Sequence, residues 1–288
     1  SVLKDATSVD RVRALWFKSA ILLELGEANE ALEAAFDARE YAKAARVNPR
    51  WQMFVSDLGI ADILLSCGRP NEALERLDDA LREGGAFLKS QPALRGEGRR
   101  LRAESAWRAL DESQRDPKRT QALVDALGDA IIDLKKEGRG RFGTLRVAAE
   151  TLRAYELVLE ISLATTNTSA AHEVVEDART YHQSLDRPDG AVRALAWAEV
   201  DASMEAIIAR AAEASGDPET ALHHYTKAAR LESRLRAGLR WRAPDGLSAR
   251  FEAIHDRMAY LHLKAAQRHG SPARARQALL FLEENRAR

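Results

Sequence analysis

The sequence predicts an all-α protein, folded as a solenoid of about six helical hairpins. Apolar residues recur with helical spacing along nearly the whole chain, and no run of Val, Ile and Thr alternates as a β-strand would. In addition, one pattern of small residues around a glycine turn occurs four times. A turn that recurs in this way is typical of stacked helical hairpins.

Glycine, proline and polar residues interrupt the apolar periodicity and mark the predicted helix ends. They indicate about twelve helices, at 8–25, 28–47, 50–67, 70–84, 93–113, 118–136, 142–166, 168–185, 190–215, 218–238, 246–269 and 272–287. We therefore predict a single repeat array over 1–288. Its clearest repeats are 10–47, 50–84, 200–238 and 246–288, and its degenerate middle is 93–190.

The recurring turns centre on four glycines, each followed by alanine five residues later. Glycine can end a helix in the left-handed conformation, and small residues on both sides of the turn let antiparallel helices approach closely. Large apolar residues then fill the space beside the small ones. The residues that we assign to this packing are Gly26, Ala31, Ala61, Gly68, Ala73, Ala80, Ala209, Gly216, Ala221, Tyr225, Ala228, Gly270 and Ala275.

This pattern resembles the tetratricopeptide repeat (TPR) family, most clearly over 209–228. The resemblance implies a right-handed superhelix in which the first helix of each hairpin lines a concave groove for a protein or peptide. Gly26 and Gly68 lie 42 residues apart, whereas the family period is about 34, so the helices are longer than usual. The proline expected near the end of the second helix is displaced or absent.

Carried onto this sequence, the groove positions of the family fall mainly on charged residues with a few aromatic ones. Such a wall suits an extended peptide, a protein or another domain of the same chain, but it is also what a solvated helix face looks like. The assigned residues are Arg13, Trp16, Leu58, Asp62, Arg153, Glu156, Glu160, Arg210, Glu213, Arg257, Tyr260 and Lys264.

The last stretch, 246–288, resembles the repeat that precedes the caspase-like peptidase domain called CHAT in bacterial repeat proteins. The matching residues are Arg250, Phe251, Tyr260, Gly270, Glu284, Arg286, Ala287 and Arg288. The final helix also reaches Arg288 without a stop signal. The resemblance implies that a peptidase domain follows, that its catalytic His and Cys lie beyond Arg288, and that the repeats regulate it. A free-standing sensor module, like those of bacterial transcription regulators, is the alternative scaffold.

Charge and cysteine content limit the other functions. Lys and Arg total 44, as do Asp and Glu, so binding of a polyanion by the whole protein is disfavoured. Basic runs at 95–102, 135–146 and 230–242, the last containing Trp241, leave a nucleic-acid-binding helical repeat as a further alternative. A single cysteine, Cys67, cannot form an intramolecular disulfide. With no apolar run long enough to cross a bilayer, we expect a soluble, cytoplasmic protein without membrane partners.

Sequence motifs for catalysis and metal binding are missing. The sequence has no GxSxG, HExxH or CxxC and no glycine-rich phosphate loop ending in Lys-Ser/Thr. The glycines of 138–143 lack the preceding strand that a dinucleotide site needs, which favours an interhelical loop. His255, His262 and His269 are seven residues apart, about 10.5 Å along a helix, so they cannot share one ion. We expect no cofactor, no metal and no enzyme activity in this chain.

Overall fold

The structure, a computed structural model, describes residues 8–137, 144–165, 168–186, 191–238 and 247–286. These residues form twelve α-helices and one 3₁₀ turn, Glu112–Gln114, and contain no strand. The prediction of an all-α fold is therefore confirmed for the described part of the chain. The helices are α1 Ser8–Glu24, α2 Ala28–Lys43, α3 Pro49–Ser66, α4 Pro70–Lys89, α5 Pro92–Ala109, α6 Pro117–Glu137, α7 Thr144–Ala164, α8 Thr168–Gln183, α9 Ala191–Ala214, α10 Pro218–Gly238, α11 Leu247–His269 and α12 Pro272–Arg286.

The chain divides into two compact units, Ser1–Arg141 and Phe142–Arg288, which we call unit 1 and unit 2. In unit 1, each of the helices α1 to α6 packs against the next one along the chain. In unit 2, α7 packs against α8 and α9, and each helix from α8 to α12 packs against the next. Adjacent helices therefore pair as the predicted hairpins require. The handedness, the repeat number and the single array over 1–288 stay predictions.

The recurring turns share one backbone geometry. The four turn glycines have φ values between 59° and 83°, a conformation that glycine adopts without a clash from Cβ. At the first turn, the N–H of Gly26 donates to the carbonyl of Leu23 at 3.0 Å, and that of Glu27 donates to the carbonyl of Leu22 at 2.8 Å. The other three turns repeat the second of these bonds. These bonds satisfy carbonyls that the helix end would leave without a donor.

Small residues beside the turns lie in the two cores. In unit 1 the core surrounds Phe54, Leu58 and Leu77, and in unit 2 it surrounds Tyr225 and Met258. Alanine lets neighbouring helix backbones approach, so larger side chains from the next helix can close the remaining space. The predicted packing alanines that are buried are Ala31, Ala61, Ala73, Ala80, Ala209, Ala221 and Ala228, whereas Ala275 is half-buried.

Two glycines within α5 allow close contacts between helices. A Cβ at Gly96 would lie 2.8 Å from the carbonyl oxygen of Ala130 in α6, and a Cβ at Gly98 would lie 2.9 Å from the Phe54 ring in α3. Real Cβ atoms do not approach other atoms so closely. A side chain at position 96 would therefore force the helices apart, and one at position 98 would require the Phe54 ring to shift. In the sequence this stretch stands out as a basic run, and the structure adds a packing role for its glycines.

α4 extends beyond its predicted end. The glycine pair at 84–85 predicts a helix over 70–84, since glycine commonly ends helices. The structure instead has a kink at Gly85, where φ is 29° and ψ is −111°, and the helix resumes as far as Lys89. Beyond the kink, Leu88 is buried in the unit 1 core. Burial of this side chain favours continued helix over the local stop signal.

Candidate interaction surface

In unit 2, charged side chains join the odd-numbered helices α7, α9 and α11. Arg153 of α7 donates to the carboxylate of Glu199 in α9 at 2.7 Å. Farther along, Arg210 of α9 lies 3.3 Å from a carboxylate oxygen of Glu160 in α7. We call this surface of unit 2 the charged face, and define it by Arg153, Glu156, Glu160, Glu199, Arg210, Glu213, Arg257, Tyr260 and Lys264.

Arg210 lies between two carboxylates of α7. Its second contact is with Glu156, at 3.9 Å between Nη1 and Oε1. Burial opposes the positive charge, but the carboxylates of Glu156 and Glu160 raise the pKa of Arg210 above its usual value. The guanidinium therefore stays charged, and it fixes α9 against α7 at the level of Glu160. The structure thus brings three of the predicted groove residues into direct contact.

Glu213 of α9 connects two further helices. The Tyr225 hydroxyl of α10 donates to its Oε2 at 3.1 Å, and Nη1 of Arg257 in α11 lies 3.5 Å from its Oε1. Burial, followed by the nearby Glu213 carboxylate, raises the pKa of Tyr225 above its usual value. Tyr225 therefore remains a neutral donor, and it orients the carboxylate that faces Arg257.

The part of the charged face on α11 is open to solvent. The side chain of Arg257 is 52% exposed, and Tyr260 is 47% exposed. Nζ of Lys264 lies 5.5 Å from the centroid of the Tyr260 ring, within cation–π range. An exposed aromatic ring with a basic residue on each side is typical of surfaces that bind proteins, where Tyr and Arg are enriched.

α9 also contacts its even-numbered neighbours through histidines. Nε2 of His182 in α8 lies 2.8 Å from Asp201 of α9, and Nδ1 of His224 in α10 lies 2.5 Å from Glu205. Asp201 and Glu205 are one helical turn apart, so α8 and α10 are attached to adjacent positions of α9. Sequence reasoning missed both pairs, because only the equal separation of 19 residues in each pair marks them.

In unit 1, the odd-numbered helices meet through aromatic side chains instead. The rings of Trp16 in α1 and Trp51 in α3 have their centroids 6.3 Å apart, with an interplanar angle of 56°. The indole N–H of Trp16 donates to the hydroxyl of Ser56 in α3 at 3.1 Å. Trp51 remains 37% exposed. We call this surface of unit 1 the aromatic face, and define it by Arg13, Trp16, Trp51 and Asp62.

The remaining predicted groove residues of unit 1 differ in exposure. Arg13 is exposed and Asp62 is half-buried. Leu58 is only 2% exposed and belongs to the unit 1 core, so it cannot contact a ligand while the protein is folded. Sequence reasoning did not assign Trp51 to the surface, yet its ring is accessible to solvent, whereas the side chain of Leu58 is not. The position of Trp51 near the start of α3 offered no local signal of exposure.

Two buried aspartates link helices within unit 1. Asp57 of α3 accepts from Nε of Arg39 at 2.6 Å and lies 3.5 Å from Arg76. Asp133 of α6 accepts from Arg95 at 2.6 Å and from Arg99 at 2.9 Å. Burial raises the pKa of Asp57 above its ordinary value despite its arginines. Burial also works to raise the pKa of Asp133, but Arg95 and its neighbours hold that pKa below the ordinary value.

The basic run at 95–102 is paired with carboxylates. Besides the two arginines at Asp133, Arg100 lies 2.7 Å from Glu104, and Arg102 pairs with Asp78 of α4. Arginines that are paired with carboxylates add little to the positive surface charge that would attract phosphate groups. The runs at 135–146 and 230–242 extend outside the described residues, which include neither 138–143 nor Trp241.

Within the described ranges, no group of three or more His, Cys, Asp and Glu side chains could hold a metal ion. His255 and His262 instead flank the Phe281 ring of α12, with centroid distances of 5.8 and 5.5 Å. The side chain of His269 lies outside the described residues, and Cys67 is partly buried. Of the helices described, none is long and apolar enough to cross a membrane. Ala287 and Arg288, the end of the stretch that resembles the CHAT-linked repeat, lie outside the described residues.

No protein-family model matches the chain. Among curated proteins, the chain is 33% identical over 124 residues to the succinate–CoA ligase [ADP-forming] subunit beta 2 of Streptomyces coelicolor. This similarity covers 38% of the chain and 32% of that protein. The chain thus spans about a third of the curated relative that it matches, which is too little to show a family.

Proposed function

We propose that this chain is a protein-binding scaffold of TPR-like repeats, wound as a right-handed solenoid of about six hairpins. Its binding site would be the charged face of unit 2. One observation carries the proposal: Arg257, Tyr260 and Lys264 lie exposed on α11, next to carboxylates and cations that already hold one another in place. A peptide or a protein segment is the ligand class that such a face suits.

Preorganisation supports the charged face as a binding site. Arg210 is fixed by Glu156 and Glu160, and Glu213 is oriented by Tyr225. A partner that contacts this surface orders few additional side chains, so less conformational entropy is lost on binding. Fixed charges of both signs also select a partner by complementarity, since like charges in contact destabilise the wrong complex.

A regulatory role follows from the resemblance to repeats that precede CHAT domains. We propose that occupation of the charged face changes the balance between two states of an attached or associated caspase-like peptidase. The site of action in this proposal is the cytoplasm. A free-standing sensor, of the kind found in bacterial transcription regulators, would use the same face without a peptidase.

Nucleic-acid binding receives less support than protein binding. The arginines of the basic run at 95–102 pair with carboxylates of α4, α5 and α6, which leaves less positive charge for phosphate groups. A ligase activity is not proposed, because the similarity to the Streptomyces coelicolor protein covers 32% of that protein.

A selected peptide can test the binding site. Phage carrying random peptides would be selected on the intact chain, and an enriched peptide would be synthesised and titrated by calorimetry. We expect the double variant Arg257→Glu/Lys264→Glu to bind at least tenfold more weakly, about 1.4 kcal/mol. Both side chains are exposed, so unfolding should change by less than about 0.5 kcal/mol.

The matched control is Arg230→Glu/Arg234→Glu, an identical change of charge at two exposed residues of α10. This control should keep the affinity of the unchanged chain. An equal loss of affinity in both double variants would mean that peptide binding depends only on the net charge of the chain. Loss in the α10 variant alone would place the site on the basic run at 230–242, and unchanged affinity in both would place it elsewhere.

The peptidase part of the proposal has a separate test. The source transcript would be sequenced past the codon for Arg288. A following caspase-like domain with a His and a Cys would support an attached peptidase, and its rate of cleavage should then change when the selected peptide is added. A stop codon directly after Arg288 would contradict the attached form.

A further inference from the structure

Three cationic side chains line one side of α11. Arg257 is 52% exposed, and Lys264 and Arg268 are exposed as well. Seven residues separate the first two and four separate the last two, so all three lie within about 40° of one another around the helix. Along its axis, these separations correspond to about 10.5 Å and about 6 Å. We call Arg257, Lys264 and Arg268 the α11 ridge.

The α11 ridge carries more positive charge than its surroundings neutralise. Arg257 lies 3.5 Å from Glu213, whereas no carboxylate of the described residues forms an ion pair with Lys264 or Arg268. Asp256 is also exposed, but it lies about 100° around the helix from Arg257. The other arginines of the charged face contact carboxylates of neighbouring helices. The ridge is therefore the part of the charged face where an anionic partner gains most.

Two apolar side chains adjoin the α11 ridge. The ring of Tyr260 is 47% exposed and the side chain of Leu263 is 40% exposed. They are three residues apart, so they are neighbours on the helix surface, and both lie on the same side of the ridge. Nζ of Lys264 lies 5.5 Å from the centroid of the Tyr260 ring. A ligand that contacts the ridge can therefore also bury an apolar side chain beside it.

We propose that the partner of the charged face is an acidic peptide segment, bound in an extended conformation along α11, with two carboxylates on Lys264 and Arg268 and an apolar side chain against Tyr260. This inference rests on the proposed function, because it names the partner of the same site. Charge complementarity identifies that partner. An acidic segment neutralises cations that have no carboxylate beside them, whereas a basic segment would meet like charges.

The spacing of these side chains fits an extended peptide. Side chains two residues apart in an extended chain lie on the same side of it, about 6.6 Å from each other. Lys264 and Arg268 are about 6 Å apart along the axis of α11, and so are Tyr260 and Lys264. The predicted motif therefore has two acidic residues at alternate positions, and an apolar residue two positions beyond one of them.

Synthetic peptides would test the acidic partner on the intact chain. The probes are rhodamine-labelled Gly-Ser-Leu-Ser-Glu-Ser-Glu-Ser-Gly and the same sequence in reverse, each with an amidated C-terminus, titrated by fluorescence polarisation at low salt. We expect one of them to bind with a dissociation constant below about 1 mM. Replacing both glutamates by glutamine should weaken binding at least tenfold. Absence of binding by both probes, or equal binding of the glutamine peptide, would overturn the proposal.

A peptide of the same composition would test the extended arrangement. Placing the two glutamates next to each other directs their side chains to opposite sides of an extended chain. Binding of this peptide should be at least threefold weaker than that of the probe. Equal affinity would overturn the extended arrangement along α11.

Variants of the chain would locate the bound probe. Lys264→Glu/Arg268→Glu should weaken binding of the probe at least tenfold, and it should bind a peptide with lysine in place of both glutamates, which the unchanged chain should not. Arg230→Glu/Arg234→Glu is the matched control, because it changes the net charge equally at two exposed residues of α10. This control should bind the probe as the unchanged chain does. Equal loss in both variants, or no binding of the lysine peptide, would overturn the assignment to the ridge.

Failure of this inference can be distinguished from failure of the proposed function. If the phage-selected peptide requires Arg257 and Lys264 but contains no acidic residue, the charged face remains the binding site and only the acidic partner is overturned. If the acidic probe loses affinity in the α10 variant alone, both proposals fail. A thymidine trinucleotide, which has two negative charges like the probe, should compete weakly. Tighter binding of the trinucleotide than of the probe would overturn the peptide partner in favour of single-stranded nucleic acid.

Discussion

The aromatic face of unit 1 and the charged face of unit 2 both lie on odd-numbered helices. The side chains that connect those helices differ, since they are aromatic in unit 1 and charged in unit 2. In unit 1, Trp16 packs against Trp51 and donates to Ser56. In unit 2, Arg210 and Glu213 connect α9 to α7, α10 and α11. A repeat pattern thus determines which helices form a surface, while the residues at the surface positions determine what it can bind.

The two units also differ in the interior contacts that hold their helices. Unit 1 depends on buried aspartates and on the close approach that Gly96 permits. Unit 2 depends more on partly exposed charge pairs, such as that of Arg210 with Glu160, whose side chains are 25% and 36% exposed. Exposed charge pairs weaken as salt is added, whereas buried pairs are screened much less. The experiments below separate the two kinds of contact.

The largest effect is expected at Asp133. Asp133→Asn removes a charge that Arg95 and Arg99 contact. Arg95 then loses the carboxylate that accepts its hydrogen bonds, while Arg99 keeps only the longer contact with Asp129, at 3.7 Å. We expect a loss of about 2–3 kcal/mol in the free energy of unfolding, measured by denaturant unfolding with hydrogen exchange to localise the change. The matched variant is Asp57→Asn, where burial already raises the pKa of the carboxyl. Asp57→Asn should lower the free energy of unfolding by a smaller amount. Equal losses in the two variants would contradict a difference between the two aspartates.

Close packing gives the next effect. Gly96→Ala would place a Cβ 2.8 Å from the Ala130 carbonyl oxygen, so α5 and α6 must separate. Overpacking of this kind costs about 1–3 kcal/mol, partly offset by the better helix propensity of alanine, about 1 kcal/mol. Gly128→Ala in α6 is the control, because nothing lies within 4 Å of its missing Cβ. It should stabilise the protein, and a stabilising Gly96→Ala would contradict the packing role.

Salt distinguishes the two faces more finely. Arg210→Met keeps much of the side-chain volume but removes the charge, so we expect a loss of about 1 kcal/mol at low salt that shrinks as salt is added. Trp16→Phe in unit 1 removes the hydrogen bond to Ser56 and should cost about 1 kcal/mol at every salt concentration. Hydrogen exchange of the intact chain would report both. A salt-independent loss for Arg210→Met would break the comparison.

The smallest effect is the response to acid within unit 1. The pKa of Asp133 is below its ordinary value when folded, so its stabilising contribution is present above the ordinary value, about 3.9, and is lost as the pH falls through the folded value. The pKa of Asp57 is raised, so protonation there favours the folded state as the pH falls through its raised value. Acid should therefore reduce hydrogen-exchange protection at α5 and α6 before α2 and α3. The reverse order would contradict these shifts.

Much of the fold could be predicted because its signals are local. The turn glycines, the prolines at helix starts and the apolar periodicity act within a few residues, and the predicted helices correspond to those described. The kink at Gly85 escaped prediction, since the burial of Leu88 in the distant core outweighs the glycine signal there. Likewise, the need for glycine at position 96 depends on Ala130, which is far away in sequence.

The candidate site was less predictable. Transfer of groove positions from the family identified Arg153 but missed Glu199, its partner in α9. Such contacts depend on which residues face each other across neighbouring helices. Trp51 was missed and Leu58 was assigned to the surface although it is buried, because a small rotation of α3 moves a position between core and surface. Pairing of charges between helices depends on this rotation, and a single sequence does not determine it.

A hydrogen-exchange footprint of the selected peptide on the intact chain tests the central claim most directly, namely that the charged face of unit 2 is the binding surface. We predict increased protection in α9 and α11, and a smaller increase at high salt because the contacts are between charges. α1 and α3 should be unchanged. Protection confined to α1 and α3, or to the even-numbered helices, would contradict the account.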